Sequence, residues 1–187
     1  MTAPYTPDTL PQACADFTAQ WEGDELWPYL DGAGNVTAGI GDLLKDIPAL
    51  AKAIGCDLDA ATTAWTAVKA MRPGMLPNAY RDATTLRLTV AVSQEEFIQS
   101  MPFYVKEAVS HISDFWTLDG NAQVGAVDVF YNAGYFRHMC DALSSRDCAM
   151  AAIQCHRLET PAAGGIQPAR NAATKALILS AIPQAVS

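Results

Sequence analysis

Residues 21–42 read Trp21-Glu-Gly-Asp-Glu-Leu-Trp-Pro-Tyr-Leu-Asp-Gly-Ala-Gly-Asn-Val-Thr-Ala-Gly-Ile-Gly-Asp42. Two carboxylates and a hydroxyl are spaced through this stretch: Glu22, Asp31 nine residues on, and Thr37 six beyond that. Glycines at 23, 32, 34, 39 and 41 punctuate it. Glycine takes positive φ at no steric cost, so the segment reads as short β pieces joined by tight turns. Trp27–Asp31 and Val36–Gly41 form the arms of a hairpin, with Gly32, Gly34 or Asn35 supplying the positive φ of its turn. That turn sets Asp31 and Thr37 close together. A lone hairpin is marginally stable in water, so the remainder of the chain must supply its support.

Upstream, Leu10, Cys14, Phe17 and Trp21 recur at i, i+4, i+7 and i+11, the stripe of an amphipathic helix over residues 9–22. Thr9 is placed to cap it, Pro11 fits its first turn, and Gly23 is placed to close it. Glu22 then sits at the negative end of the helix dipole, where the dipole does not favour ionisation. Downstream, helices are expected over Leu43–Ile54 and Leu58–Met71, with Trp65 and Met71 as core residues. A break follows at Arg72-Pro-Gly-Met-Leu-Pro-Asn78, then a Thr-rich stretch, 84–92.

Ser93-Gln-Glu-Glu96 has the form of a capping box, opening a helix with Phe97, Met101, Tyr104 or Val105, and Val109 on one side and a kink at Pro102. The most apolar helix, Asn121–Tyr131, ends in Tyr131-Asn-Ala-Gly134, with Gly134 as its cap. Helices over 135–144, 146–157 and 169–181 complete the pattern, the last preceded by a loop from Glu159 to Pro168. The fold class expected is α+β, predominantly α-helical: a small hairpin lobe with a helical elaboration, 23–92, and a larger helical lobe, 9–22 plus 93–187.

At 187 residues, 50% of them hydrophobic and 17% charged, the chain can bury a substantial core. No apolar run reaches the roughly 18 residues of a membrane span, so a soluble protein without membrane insertion is expected. The formal charge of −8 argues against nucleic acid or an anionic membrane as a partner. The N-terminal residues have neither a basic start nor an apolar core, so no signal peptide is expected. The five cysteines lack a Cys-x-x-Cys pair, and Cys14, Cys148 and Cys155 fall on helical faces. They read as reduced core residues made in a cytoplasm, with Cys140 able to pair with Cys148 or Cys155 under oxidising conditions. His111, His138 and His156 lack metal-ligand spacing. Neither a metal nor a cofactor is expected.

Taken together, Glu22, Asp31, Thr37 and Gly39-Ile-Gly41 resemble the pattern of the phage lysozymes of the T-even bacteriophage type. Tyr131-Asn-Ala-Gly134 resembles their aromatic-Asn/Gln-x-Gly at the end of a buried helix, and Pro168-Ala-Arg170 their Pro-x-Arg at the start of a late one. Residues 43–92 do not match a minimal enzyme of this kind, and Asp42 stands where many relatives carry His. The resemblance implies a lysozyme-like fold with a hairpin lobe and a helical lobe, and cleavage of the β-1,4 bond between N-acetylmuramic acid and N-acetylglucosamine in peptidoglycan. It also implies a late arginine near the catalytic acid for Arg170. Arg157, Gly-Gly-Ile, Arg170-Asn171 and Thr174 resemble, in addition, the lysozyme-like domains of secreted antibacterial toxins.

Glycoside hydrolysis needs a proton donor for the leaving oxygen and a second carboxylate. Glu22 is the expected acid and Asp31 the ionised partner. A hydroxyl at Thr37 can hold a water beside Asp31, which favours a general base and inversion over direct attack. Asn132 can donate to and accept from a sugar amide, and Arg170 is the second expected substrate-binding residue, although an arginine in a first helical turn often makes a structural pair.

Each residue alone has a plain structural reading: a helix-end Glu, an Asp-Gly turn, a strand Thr and a helix-end Asn. Their joint spacing favours the chemical one. Peptidoglycan glycan strands are the expected partner, with an immunity or inhibitor protein or a secretion-delivery partner if the setting is an effector. Action would then be in the periplasm or cell wall, after holin release or delivery by a secretion system. The alternative is a non-catalytic peptidoglycan-binding or structural domain of a larger phage or secretion assembly.

Overall fold

The computed structural model describes residues 2–157 and 166–183. In chain order these form α1 (Leu10–Thr18), β1 (Glu25–Leu30), β2 (Val36–Gly39), β3 (Asp42–Leu43), α2 (Ile47–Ile54), α3 (Leu58–Lys69), α4 (Val90–His111), α5 (Gly120–Ala133), α6 (Arg137–Ser144), α7 (Cys148–Gln154) and α8 (Ile166–Ser180). The fold is α+β and predominantly helical. Of the expected loop Glu159–Pro168, residues 159–165, including the two glycines before Ile166, lie outside the described residues. No described helix is long and apolar enough to cross a membrane. The chain divides into two compact units: Glu22–Gln99, and the segment up to Trp21 together with the chain from Ser100 onward.

The unit Glu22–Gln99 is built on an antiparallel sheet of order β1-β2-β3. Tyr29 pairs with Thr37 and Leu30 with Val36, and Thr37 and Ala38 pair on their other side with Leu43 and Asp42. A helix was expected from Leu43, but a second reverse turn intervenes. Gly39 and Gly41 adopt φ of 62° and 75° and fold the chain back so that Leu44 N–H donates to Val36 O at 2.9 Å. Leu43 is 55% exposed while Leu44 is buried, the alternation of a strand. The helix starts later, at Ile47, where Asp46 accepts from Ala49 N–H at 2.8 Å.

Leu30, Val36 and Ala38 face a core completed by Leu50 of α2, by Ala61, Ala64 and Val68 of α3, and by Tyr80 and Leu88. Trp65 and Met71 pack against its edge, half-buried. Residues 43–92 thus furnish the apolar layer that the hairpin cannot bury alone. At the start of α4 the cap is Thr89, whose hydroxyl accepts from Val92 N–H at 3.2 Å while its carbonyl accepts from Ser93 N–H at 3.0 Å. The expected Ser93 cap is overturned because the buried Ser93 hydroxyl is committed to Asp24, at 2.7 Å.

In the other unit, α5 is buried from Ala122 to Phe130 and packs against α1 and α8. Asp119 caps it, and Gly134, at φ 79°, closes it. A Cβ at Gly125 would meet Ile178 Cγ1 at 2.8 Å, so alanine there costs about 1–3 kcal/mol through overpacking. Around Pro102 the buried residues of α4 are Met101, Val105 and Ala108, with Val109 37% exposed. α1 ends at Thr18, and Ala19–Trp21 tighten into a 3-10 turn. Thr9 makes no capping bond, its hydroxyl accepting from Thr6 N–H at 3.0 Å.

Candidate active site

Glu22 follows the 3-10 turn, not an α-helical terminus, and Gly23 is not in the left-handed region expected of a C-cap. The Glu22 side chain is half-buried. Two residues on, the bond from Ser93 to Asp24 pins the lead into β1 against the first turn of α4. Glu22 is thereby anchored on its C-terminal side by a contact within the same unit.

Asp31 stands at the turn of the hairpin, and Thr37 lies in its second arm. Opposed residues of an antiparallel pair point the same way, so the Tyr29–Thr37 pair lies on the face opposite Leu30 and Val36, and Asp31 follows Leu30 into the turn. Asp31 N–H donates to Asn35 O at 3.0 Å, closing the turn. The Asp31 carboxylate accepts from Ala33 N–H at 2.9 Å, Asn35 N–H at 2.8 Å and Asn35 Nδ2 at 3.0 Å. Its slight burial opposes ionisation, but the bonds from Asn35, Ala33 and Gly34 outweigh this and hold its pKa below the usual carboxylate value. Thr37 is 5% exposed. Among the described residues no hydrogen bond engages its hydroxyl.

The turn is braced from outside the hairpin. Gly34 adopts φ 82°, and Lys69, the last residue of α3, donates Nζ to its carbonyl at 2.7 Å. A Cβ at Gly34 would lie 3.5 Å from Pro73 Cγ, and one at Gly74 would lie 3.7 Å from Gly32 Cα. The elaboration 43–92 therefore also sets the position of the Asp31 turn.

Arg170 and Asn132 both lie in the other unit. The Arg170 side chain is 1% exposed and donates Nη2 to Asp128 Oδ1 at 2.6 Å. Its guanidinium also stacks 5.8 Å from the centre of the Tyr131 ring, next to Asn132 in the last turn of α5. Asp128 is shared with Arg157, which ion-pairs to Oδ2, and with the hydroxyls of Thr18 at 3.0 Å and Thr174 at 2.8 Å. Burial works against the Asp128 charge, but bonds and charge from Arg170, then Arg157 and Thr174, hold its pKa low. Burial pulls Arg157 below its usual value; Asp128 opposes that shift and Arg170 adds to it.

Asp128 and Lys69 were not among the expected site residues, and Asn35 was expected only as a candidate for the positive φ of the turn, which Gly34 supplies. Asp128 had a visible signal, since a carboxylate inside Val124-Gly-Ala-Val-Asp-Val-Phe130 must be paired if that helix is buried. Asn35 and Lys69 had none, because their bonds depend on the turn and on a contact spanning 35 residues.

No protein-family profile matches the chain, and no curated protein matches it in sequence. In three dimensions it is similar to the crystal structure of a variant of P22 lysozyme, with a TM-score of 0.60, 90% of this chain and 96% of that one covered, and 17% identity. The chain has a lysozyme-like fold.

Proposed function

We propose that this protein is a muramidase that hydrolyses the β-1,4 bond between N-acetylmuramic acid and N-acetylglucosamine of peptidoglycan with inversion at the anomeric carbon. The observation that carries this reading is the single hairpin that holds Asp31 at its turn as a carboxylate and Thr37 in its second arm with no hydrogen bond to its hydroxyl among the described residues. Asp31 accepts a proton from a water held between it and Thr37, and Glu22 protonates the leaving oxygen. An inverting mechanism needs that water, hence a carboxyl separation of about 6.5–9.5 Å. Asn132 hydrogen-bonds an acetamido group; the substrate-binding role expected of Arg170 is not proposed, because its side chain is 1% exposed and ion-paired with Asp128. The setting is a phage or prophage endolysin released through a holin, or a secreted antibacterial effector with a cognate immunity protein.

Mass spectrometry of digested sacculi tests this reading. Muropeptides with reducing-end muramic acid are expected from the wild type and not from Glu22→Gln. Anhydro-muramic ends would mean a transglycosylase, and activity surviving in folded Glu22→Gln would remove Glu22 from the mechanism.

A second reading has its own support, since the Asp31 carboxylate is bonded into its turn as a purely structural aspartate would be. A non-catalytic peptidoglycan-binding domain would retain sacculi without releasing muropeptides.

A further inference from the structure

Glu22, Asp24 and Glu25 crowd the entry to β1. Glu22 is half-buried, whereas Asp24 is exposed. Among the described residues the one hydrogen-bond partner of the Asp24 carboxylate is the buried hydroxyl of Ser93, at 2.7 Å. A backbone bond stitches the same two segments together, Leu88 N–H donating to Leu26 O at 2.8 Å.

The early start of α4 makes this bond possible. Were Ser93 the N-cap, its hydroxyl would be taken by a backbone N–H of the first turn. Because α4 begins at Val90 with Thr89 as its cap, Ser93 lies inside the helix with a side chain that is 0% exposed and whose hydroxyl needs a partner. A serine inside a helix commonly bonds back to its own preceding turn; this one reaches across to the lead of β1 instead. Between Asp24 and Glu22 stands only Gly23. Its φ is not positive, and a Cβ there would meet nothing closer than Glu25 Oε1 at 3.4 Å, so neither backbone conformation nor backbone crowding demands glycine. Glycine is the most conformationally permissive link the chain has, and alone it would let Glu22 swing relative to the sheet.

Building on the muramidase reading, in which Glu22 is the acid, we propose that Asp24 and Ser93 are positioning residues for that acid. Their bond removes the freedom of the Gly23 link and fixes the Glu22 backbone relative to the hairpin that carries Asp31 and Thr37. The pair acts through Glu22 and takes no part in the proton transfers. A general acid must lie within hydrogen-bond reach of the leaving oxygen, so loosening the link is felt in the chemical step and not in substrate binding.

Two measurements on Ser93→Ala, Asp24→Ala, their double variant and Asp24→Asn test this. Ser93→Ala strands no buried polar group, since the exposed Asp24 carboxylate turns to water, so this variant is expected to fold. The first measurement is kcat and KM on sacculi. Ser93→Ala and Asp24→Ala should each lower kcat about tenfold with KM unchanged, the double variant should lose no more than the worse single one, and Asp24→Asn, which keeps an acceptor oxygen, should retain most of the rate. The second is the set of ¹⁵N order parameters of the Glu22, Gly23 and Asp24 amides, expected to fall below the rigid value of about 0.85 in Ser93→Ala and Asp24→Ala but not in Asp24→Asn. An undiminished kcat in Ser93→Ala, losses that multiply in the double variant, an Asp24→Asn as slow as Asp24→Ala, or unmoved order parameters overturn the proposal. A wild type that releases no muropeptides defeats the muramidase reading itself, while the order parameters, which need no turnover, still decide whether the bond holds Glu22.

Discussion

The ammonium of Lys69 lies 2.7 Å from the carbonyl oxygen of Gly34, joining the last residue of α3 to the turn that carries Asp31. The same turn is held from within by its own aspartate. The inner bonds fix the carboxylate relative to the turn, and the outer bond fixes the turn relative to the helix. A reaction that needs a water placed between Asp31 and Thr37 depends on both.

Lys69→Met should therefore lower kcat several-fold while changing global stability by no more than about 0.5 kcal/mol, because the side chain is exposed. Lys69→Arg, which can still donate to the carbonyl, should recover most of the loss. Turnover on sacculi beside urea denaturation makes the comparison. A loss of kcat that arginine does not rescue would show that the bond has no positioning role.

Asn35→Ala should move the acidic limb of the activity profile upward in pH. Asn35 donates from both its backbone and its side chain to the charged form of Asp31, and removing the side-chain donor destabilises the carboxylate. The pKa of Asp31 lies below the usual value in the folded protein, so activity that depends on the ionised form is present above that pKa and lost as the pH falls through it. With one donor gone, the loss sets in at higher pH. A pH profile of kcat/KM on fragmented sacculi measures the displacement, and an unmoved limb would separate Asp31 from that ionisation.

The parts of the fold legible in the sequence are those with local causes. The hairpin was announced by its glycines and its alternation, and α5 by an apolar face and Gly134. What was missed depends on partners distant in the chain. Leu43 and Leu44 look helical beside Ile47 and Leu50 until Gly39 and Gly41 fold them onto β2. Ser93 has the sequence context of a cap, yet its hydroxyl goes to Asp24, 69 residues away. Glu22 lost its expected helix terminus because α1 tightens one turn early, a choice among similar local geometries that periodicity does not resolve. At the candidate site, the hydrogen bonds that brace the Asp31 turn from the Asn35 and Lys69 side chains were not legible.

The cysteines should divide sharply in reactivity. All five are free thiols; Cys14, Cys140 and Cys155 are buried, Cys56 and Cys148 half-buried. Burial, with the Asp128 charge, pushes the Cys14 thiol far up, and burial pushes Cys140 up to about 11. Thiolate is the reactive form, so an aromatic disulfide reagent at neutral pH should modify at most Cys56 and Cys148 in the native protein and all five after denaturation. Rapid native labelling of Cys14 or Cys155, read by peptide mass spectrometry, would contradict this burial.

The largest stability effect is expected at Asp128. It is the shared acceptor for Arg157, Arg170, Thr18 and Thr174, none of them more than 2% exposed. Asp128→Ala leaves two buried guanidinium groups without that carboxylate and should cost about 3–5 kcal/mol, a large share of the stability of a domain this size. Arg157→Met, which removes one of the two cations and keeps the volume, should cost less. The pH dependence has a definite sign. The folded-state pKa of Asp128 lies below its unfolded value, so its contribution is present above about pH 4, the unfolded value, and is lost as the pH falls through the folded one. Denaturant unfolding from pH 6 down to pH 2 should show stability falling in the wild type, and falling less steeply in Asp128→Ala where that variant folds. If it does not fold, the wild-type and Arg157→Met curves still decide the matter. Removing one cation raises the folded-state pKa of Asp128, so the fall in stability should become shallower, and a slope unchanged by Arg157→Met would show that the pair does not govern the acid limb.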